Sequence, residues 1–92
     1  MFLNHLNDFE GWNEKVRTFA LVELKVGEEV EFHIHENEFE SYYILSGKAL
    51  YTDHDETFEI APGTVTFTPS GKGHGIKNIG DDMLKFIALI VK

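Results

Sequence analysis

The pair of histidines at His33 and His35, separated by one residue, is the first feature of the sequence that could carry chemistry. In a β-strand successive side chains point to opposite faces, so both imidazoles would project from the face opposite Phe32 and Ile34. Two imidazoles on one face can each place a ring nitrogen about 2.1 Å from the same metal ion. Two partly solvated polar residues would give the same pattern, so a metal site needs further donors.

Glu40 is the candidate carboxylate donor, although it follows His35 by five residues. An uninterrupted strand would send a residue at this odd separation to the opposite face. The polar, turn-like segment 36–38 predicts that a new strand begins near Phe39 and resets the alternation. The histidine face would then also carry three residues of the new strand: Glu40, Tyr42 and Ile44.

The third candidate imidazole, His74, lies far downstream in the glycine-rich segment 69–75. Glycines on both sides of one histidine are typical of a loop that aims a side chain at a site. A surface histidine in a flexible loop is the alternative interpretation. Together, imidazole nitrogens and a carboxylate oxygen are donors suited to first-row divalent metals.

The spacing of these residues resembles the two sequence motifs of the cupin family. The first motif is a glycine, five residues, His-x-His, three or four residues, a glutamate, six residues and a glycine. Here it comprises Gly27, His33, His35, Glu40 and Gly47. The second motif is a glycine, five residues, Pro-x-Gly, two residues, a histidine, three residues and an asparagine. Here it comprises Gly63, Pro69, Gly71, His74 and Asn78.

The resemblance to cupins implies an all-β fold, a jelly-roll (double-stranded β-helix) barrel of two antiparallel sheets. It also implies one divalent transition-metal ion per chain (Mn, Fe, Ni or Zn), with four ligands: His33, His35, Glu40 and His74. By the same resemblance, the glycines, Pro69 and Asn78 of the motifs are turn and framework positions. Four ligands would leave two neighbouring positions of an octahedral ion for a chelating substrate.

Short strands separated by glycine and proline turns are expected to position these residues, as in a sandwich or barrel. The predicted strands are 15–24, 31–35, 39–45, 48–52, 57–60, 64–68 and 84–91. No interior segment has the length and helical period of a βαβ unit. The sequence therefore predicts one barrel domain over residues 15–92.

Residues 1–14 are predicted to form a separate N-terminal arm. Phe2, Leu6 and Phe9 have helical spacing, but a helix this short would be marginal alone, so the segment is either a docked arm or part of a subunit contact. His5 is expected on the surface or in the packing of the arm. A chain of 92 residues has a thin core and apolar surface to cover, and we expect a homodimer.

Composition limits the classes of partner. The net charge of −8 argues against nucleic acid and against an anionic membrane. With no cysteine, disulfides and thiol catalysis are excluded. The N-terminus has no basic region followed by an apolar run, and no stretch approaches the ~20 apolar residues of a membrane span, so we expect a cytoplasmic protein.

Two functions of different classes fit the predicted metal site. The first is an isomerase, epimerase, lyase or dioxygenase that acts on a small oxygen-rich molecule, with Glu40 and Tyr42 as catalytic residues. Tyr42 fits an ordinary core tyrosine equally well. The second is a binding or sensing module for a small molecule, with a structural metal. Because Arg17 is the only arginine, phosphorylated sugars are less favoured as substrates, although Lys72 could replace it.

Overall fold

The eight strands of the chain pair into two antiparallel sheets, in a computed structural model that describes all 92 residues. The strands are β1 (Phe2–His5), β2 (Val16–Leu24), β3 (Glu29–Ile34), β4 (Phe39–Ser46), β5 (Ala49–Asp53), β6 (Glu56–Ile60), β7 (Gly73–Asn78) and β8 (Leu84–Val91). The first sheet has the order β1-β2-β8-β4 and the second the order β3-β7-β5-β6. This is the predicted all-β jelly roll. No helix in the structure has the length and apolar character that spanning a bilayer requires.

The core lies between the two sheets and follows from the alternation of side chains along each strand. In β8, Leu84, Phe86, Ala88 and Ile90 are buried, and the residues between them are more exposed. The central core cluster contains Val22, Leu24, Tyr42, Ile44, Ala49, Tyr51, Ile60, Ile76, Leu84, Phe86 and Ala88. Both sheets therefore contribute to one continuous core.

Six of the predicted strands are present, with ends that differ by at most two residues. The prediction that His74 lies in a loop is wrong, because Gly73–Asn78 forms β7, an inner strand of the second sheet. The glycines of β7 allow its backbone to approach β3 closely, and they do not serve the flexibility of a loop. A Cβ at Gly75 would lie 3.1 Å from the backbone nitrogen of Phe32 in the neighbouring β3.

The predicted strand at 64–68 is also wrong, because the segment makes only two isolated bridges to β4. The interruption has a side-chain cause at Thr66. The N–H of Tyr42 donates to the Thr66 hydroxyl at 3.1 Å, whereas the N–H of Thr66 donates to the Tyr42 carbonyl at 2.9 Å. A hydroxyl thus replaces a main-chain carbonyl in the pairing, and no regular ladder forms.

The N-terminal segment begins with a strand. Residues Phe2–His5 form β1, which extends the first sheet by pairing with β2, and all four are exposed. The N-terminal ammonium group contacts the Glu28 carboxylate at 2.6 Å. The helical spacing noted in the sequence has no helical counterpart in the structure.

Residues after β1 dock on the same sheet through aromatic contacts. The Trp12 ring stacks on Phe19 of β2, with centroids 5.7 Å apart and planes inclined by 6°. Phe9 meets Trp12 edge to face at 5.2 Å. The indole Nε1 of Trp12 is buried and has no hydrogen-bond partner.

Gly47 and Asn78, two of the framework positions of the motifs, stabilise turns between strands. Gly47 has a φ of 97°, and a Cβ there would lie 2.9 Å from the Cα of Leu84. The Asn78 side-chain amide donates to the Leu24 carbonyl at 2.9 Å and to the Asp82 carbonyl at 2.8 Å. Asn78 therefore connects three segments of the chain.

Candidate metal centre

The candidate ligands come from both sheets. His33 of β3 and His74 of β7 are register partners across neighbouring strands of the second sheet. His35 lies just beyond the end of β3, where its carbonyl accepts the N–H of Gly71 at 2.7 Å. Glu40 lies at the start of β4 in the first sheet. His74 of β7 lies more than thirty residues after the other three candidate ligands in the sequence, and the fold brings all four together.

The change of side-chain phase before β4 occurs as the sequence predicts. Residues 35–38 are not part of a strand, and Asn37 has a left-handed φ of 63°. Three residues of β4 on the histidine side are buried: Glu40, Tyr42 and Ile44. Their neighbours Tyr43 and Leu45 are exposed.

The inner atoms of the cluster converge closely. Glu40 Oε1 lies 2.7 Å from His35 Nε2 and 2.6 Å from His74 Nε2. His33 Nε2 lies 3.1 Å from both His35 Nε2 and His74 Nε2. One ligand atom from each of the four residues fits within 4.8 Å of all the others.

The outer nitrogens of the imidazoles are fixed by other groups. His33 Nδ1 donates to the Glu31 carbonyl at 2.7 Å, and His35 Nδ1 donates to the Glu38 carboxylate at 2.8 Å. Because these oxygens only accept, the proton of each neutral ring lies on Nδ1, and Nε2 presents a lone pair to the centre.

The outer nitrogen of His74 has two hydroxyl partners, at 2.9 Å from the Tyr51 oxygen and 3.0 Å from the Thr68 oxygen. Because a hydroxyl oxygen accepts as well as donates, these contacts permit a proton on Nδ1 of His74 and an unprotonated Nε2 facing Glu40. In that tautomer four acceptors face one another without a donor among them, which is unfavourable unless a cation lies between them. The donor set therefore fits a divalent transition metal.

Glu38 is itself held by a bidentate ion pair with Arg17. The guanidinium Nε and Nη2 donate to the two Glu38 oxygens at 2.8 and 2.7 Å. Hydrogen bonding to Arg17 is the main reason why the pKa of Glu38 falls to about 2. Arg17, Glu38 and His35 thus form a chain of contacts that orients one candidate ligand.

Ionisation of Glu40 is also favoured. Burial of the carboxyl disfavours its charged form, but contacts with His33 and His74 outweigh burial and lower the pKa of Glu40 to about 2. The neighbouring Glu40 carboxylate in turn favours the protonated form of His33 and raises its pKa above the ordinary value. The cluster thus contains one carboxylate that remains anionic at neutral pH.

A cavity of about 400 Å³ adjoins the cluster. His33, His35, Glu40 and Tyr42 contribute to its wall, as do Arg17 and the exposed His5. The Tyr42 ring stacks on His74, with centroids 4.8 Å apart, and burial raises the pKa of its hydroxyl well above 10. Tyr42 therefore has both of the positions considered from the sequence, as a buried core residue and as a neighbour of the site.

The sequence did not identify the outer partners of the imidazoles, namely Glu38, Tyr51 and Thr68. The alternation of β5 places Tyr51 inward, but nothing in the local sequence links it to His74. His5 was expected at the surface or in the arm, and the structure also gives it a place on the cavity wall. His54 lies at the exposed β5–β6 turn, outside the cluster.

Comparison with known proteins gives relatives over nearly the whole chain. Residues 20–90 match the cupin domain family. The chain is 42% identical over 87 residues to an oxalate-binding protein of Thermotoga maritima. The aligned region covers 95% of this chain and 72% of that protein. It is 39% identical over 75 residues to the oxalate decarboxylase OxdC of Bacillus subtilis, covering 76% of this chain but only 20% of the enzyme.

A solved structure has the same fold. The crystal structure of a predicted oxalate decarboxylase from Thermotoga maritima superposes with a TM-score of 0.92 at 42% identity, over 97% of this chain and 77% of that one. Fold, motif spacing and sequence similarity lead to the same assignment, and the chain belongs to the cupin family.

Proposed function

We propose that the chain binds one divalent transition-metal ion through His33, His35, Glu40 and His74. We further propose that the bound ion holds a small oxygen-rich anion such as oxalate. The observation that carries the proposal is the convergence of three imidazole Nε2 atoms and one carboxylate oxygen beside a cavity of about 400 Å³, whose wall includes His33, His35 and Glu40. The names of two relatives, an oxalate-binding protein and an oxalate decarboxylase, support the choice of anion.

The residues around the cluster have distinct tasks in this proposal. The metal, when bound, would supply positive charge and coordination positions for ligand oxygens. Glu38 and the Glu31 carbonyl keep the Nδ1 atoms of two imidazoles protonated, so their Nε2 atoms remain available. Arg17 lines the same cavity, and its ion pair with Glu38 keeps that carboxylate in place against His35.

Isothermal titration calorimetry tests this function directly. Protein loaded with Mn²⁺, Ni²⁺ or Zn²⁺ should bind oxalate, and protein stripped with a chelator should not. His74→Ala should lose metal and oxalate binding together. If the loaded protein binds neither oxalate nor a hydroxamate, coordination positions for a bidentate ligand do not exist. The metal would then be purely structural.

A metal-dependent enzyme is the second candidate, with isomerase, lyase or dioxygenase chemistry. It is favoured by the positions of Glu40 and Tyr42, which follow one another on the inward face of β4 and line the cavity beside the histidines. Glu40 would act as a base on the bound substrate, which requires it to lie within about 3 Å of the proton that it removes. Tyr42 would donate a hydrogen bond to a substrate oxygen.

Turnover separates the two candidates. In the enzyme, Glu40→Gln and Tyr42→Phe should reduce turnover more than they reduce oxalate binding. The release of formate and carbon dioxide from oxalate is one assay, and the isomerisation of α-hydroxy ketones is another. A loaded protein that binds oxalate but converts no substrate in a broad screen would favour the binding module.

A further inference from the structure

The cavity beside the cluster is much larger than oxalate needs. At about 400 Å³ it lies in the range of ~300–1,000 Å³ that is typical of pockets for ligands with many more atoms. Oxalate bound at the four ligands would leave most of this volume to water. What we infer about the rest of the cavity rests on the proposed function, because it concerns the other end of the same ligand.

Away from the ligands most of the cavity wall is apolar, and Arg17, Thr18 and His5 are its polar members. The first sheet contributes Val22 from β2 and Phe86, Ala88 and Ile90 from β8. In the pairing of β4 with β8, Ile90 is the partner of Glu40, and Ala88 is the partner of Tyr42. The apolar wall therefore begins immediately beside the candidate carboxylate ligand and continues away from it along β8.

The N-terminal residues contribute exposed side chains to the cavity wall. Met1, Leu3 and His5 are exposed and also line the cavity, whereas Phe2 is not part of its wall. On the opposite side, the half-buried Val30 of β3 adds another apolar contact. A ligand that reached from the metal to β1 would pass mainly over aliphatic side chains.

We infer that the preferred ligand is an amphipathic acid whose two ends match the two parts of the cavity. Its head is a 2-oxo or 2-hydroxy carboxylate, which supplies two oxygens on adjacent carbons. Its tail is a branched aliphatic or aromatic group that covers Val22, Ala88 and Ile90. Oxalate reproduces the head alone.

Apolar contact sets the expected size of the effect. Each methylene group of the ligand that moves completely from water into an apolar site improves affinity by roughly fourfold. Ordering of the tail reduces this gain. We therefore expect 4-methyl-2-oxopentanoate to bind at least about tenfold more tightly than pyruvate, which has the same head and only a methyl group.

Calorimetry on the metal-loaded protein compares oxalate, pyruvate and 4-methyl-2-oxopentanoate. Leu3→Asn makes the wall polar at an exposed position, and Phe2→Asn is its matched control on the other face of the same strand. Leu3→Asn should weaken binding of the long acid several-fold and leave oxalate unchanged, whereas Phe2→Asn should change neither. Val30→Phe, which fills apolar volume from β3, should act in the same direction as Leu3→Asn.

The heat-capacity change of binding gives an independent measure, because buried apolar surface makes it more negative. It should be more negative for 4-methyl-2-oxopentanoate than for pyruvate. If oxalate binds but the long acid binds no more tightly than pyruvate, the inference about the tail is wrong and the proposed function stands. If none of the three acids binds the loaded protein, the proposed function fails as well.

Discussion

At the scale of single residues, the three imidazoles of the cluster differ in what fixes their outer nitrogens. A backbone carbonyl holds His33, a carboxylate holds His35 and two hydroxyls hold His74. The backbone carbonyl that holds His33 cannot be removed by substitution. His74 has two hydroxyl partners, so one remains when the other is removed. The carboxylate of Glu38 is therefore the outer contact whose loss should be easiest to measure.

The first prediction concerns His74 as a ligand. His74→Ala should weaken metal binding by more than roughly 100-fold, because it removes a whole donor rather than an outer partner, whose loss costs about 10–100-fold. His54→Asn is the control, since His54 lies outside the cluster and has a φ of 57° that asparagine tolerates. Elemental analysis after dialysis measures both variants. Equal metal content would contradict the assignment of His74.

The second prediction concerns Glu38. Glu38→Ala should lower metal affinity about 10–100-fold, because His35 loses the group that fixes its orientation and its proton. Glu36→Ala removes an exposed carboxylate from the same turn and should have little effect. Competition with a chromogenic chelator gives the affinity. If the two variants bind metal equally well, the contact between Glu38 and His35 has no role in metal binding.

At the scale of elements, the closeness of β3 and β7 controls the site, because His33 and His74 are opposite one another on these strands. A Cβ at Gly73 would overlap the Phe32 ring, which is a half-exposed side chain, and would also lie 3.0 Å from the His33 carbonyl oxygen. A Cβ at Gly75 would instead lie 3.1–3.2 Å from backbone atoms of Phe32. A side chain can move aside, but the backbone of a paired strand cannot do so without changing the pairing.

The third prediction follows from this difference. Gly73→Ala and Gly75→Ala should each destabilise the protein, by about 1–3 kcal/mol, the usual cost of overpacking. Adding Phe32→Ala should recover part of the loss for Gly73→Ala, whose remaining close contact is the His33 carbonyl, and little for Gly75→Ala. Thermal unfolding of the two single and two double variants measures the effect. Equal recovery in both pairs would contradict the proposed contacts.

The elements differ in how well the sequence predicts them. In β4 and β8 the alternation of buried and exposed side chains is visible in the sequence, and both strands are confirmed. The strand β7 is not visible, because its glycines resemble a loop and their purpose depends on a neighbour forty residues away. Tyr51 is hidden as a partner of His74 for the same reason, since the two residues are 23 positions apart. The four converging residues were predictable only through their spacing as a set.

At the scale of the whole molecule, exposed apolar side chains remain on the outside of the first sheet. Tyr43 and Leu45 of β4 are 46% and 44% exposed, and Val65 and Phe67 beside them are 66% and 57% exposed. Patches of this kind mark interaction surfaces. The N-terminal segment offers another exposed apolar side chain, Phe9. A second copy of the chain is the partner that we propose for one of these surfaces.

The fourth prediction is therefore a homodimer at about tens of micromolar, measured by light scattering. Tyr43→Glu should dissociate a dimer formed through the sheet, and Phe9→Glu should dissociate one formed through the N-terminal segment. Phe58→Glu is the control, because Phe58 is also exposed but belongs to β6 in the other sheet. A wild-type protein that is monomeric at these concentrations would contradict the prediction.

The stacking of Trp12 on Phe19 has a practical consequence. Trp12 is the only tryptophan of the chain, so all indole fluorescence originates at the contact between the N-terminal segment and β2. Its buried Nε1 has no hydrogen-bond partner, and release of the segment into water would shift the emission to longer wavelength. The protein thus contains an optical probe of its N-terminal segment. Comparing this probe with circular dichroism during unfolding distinguishes detachment of the segment from melting of the barrel.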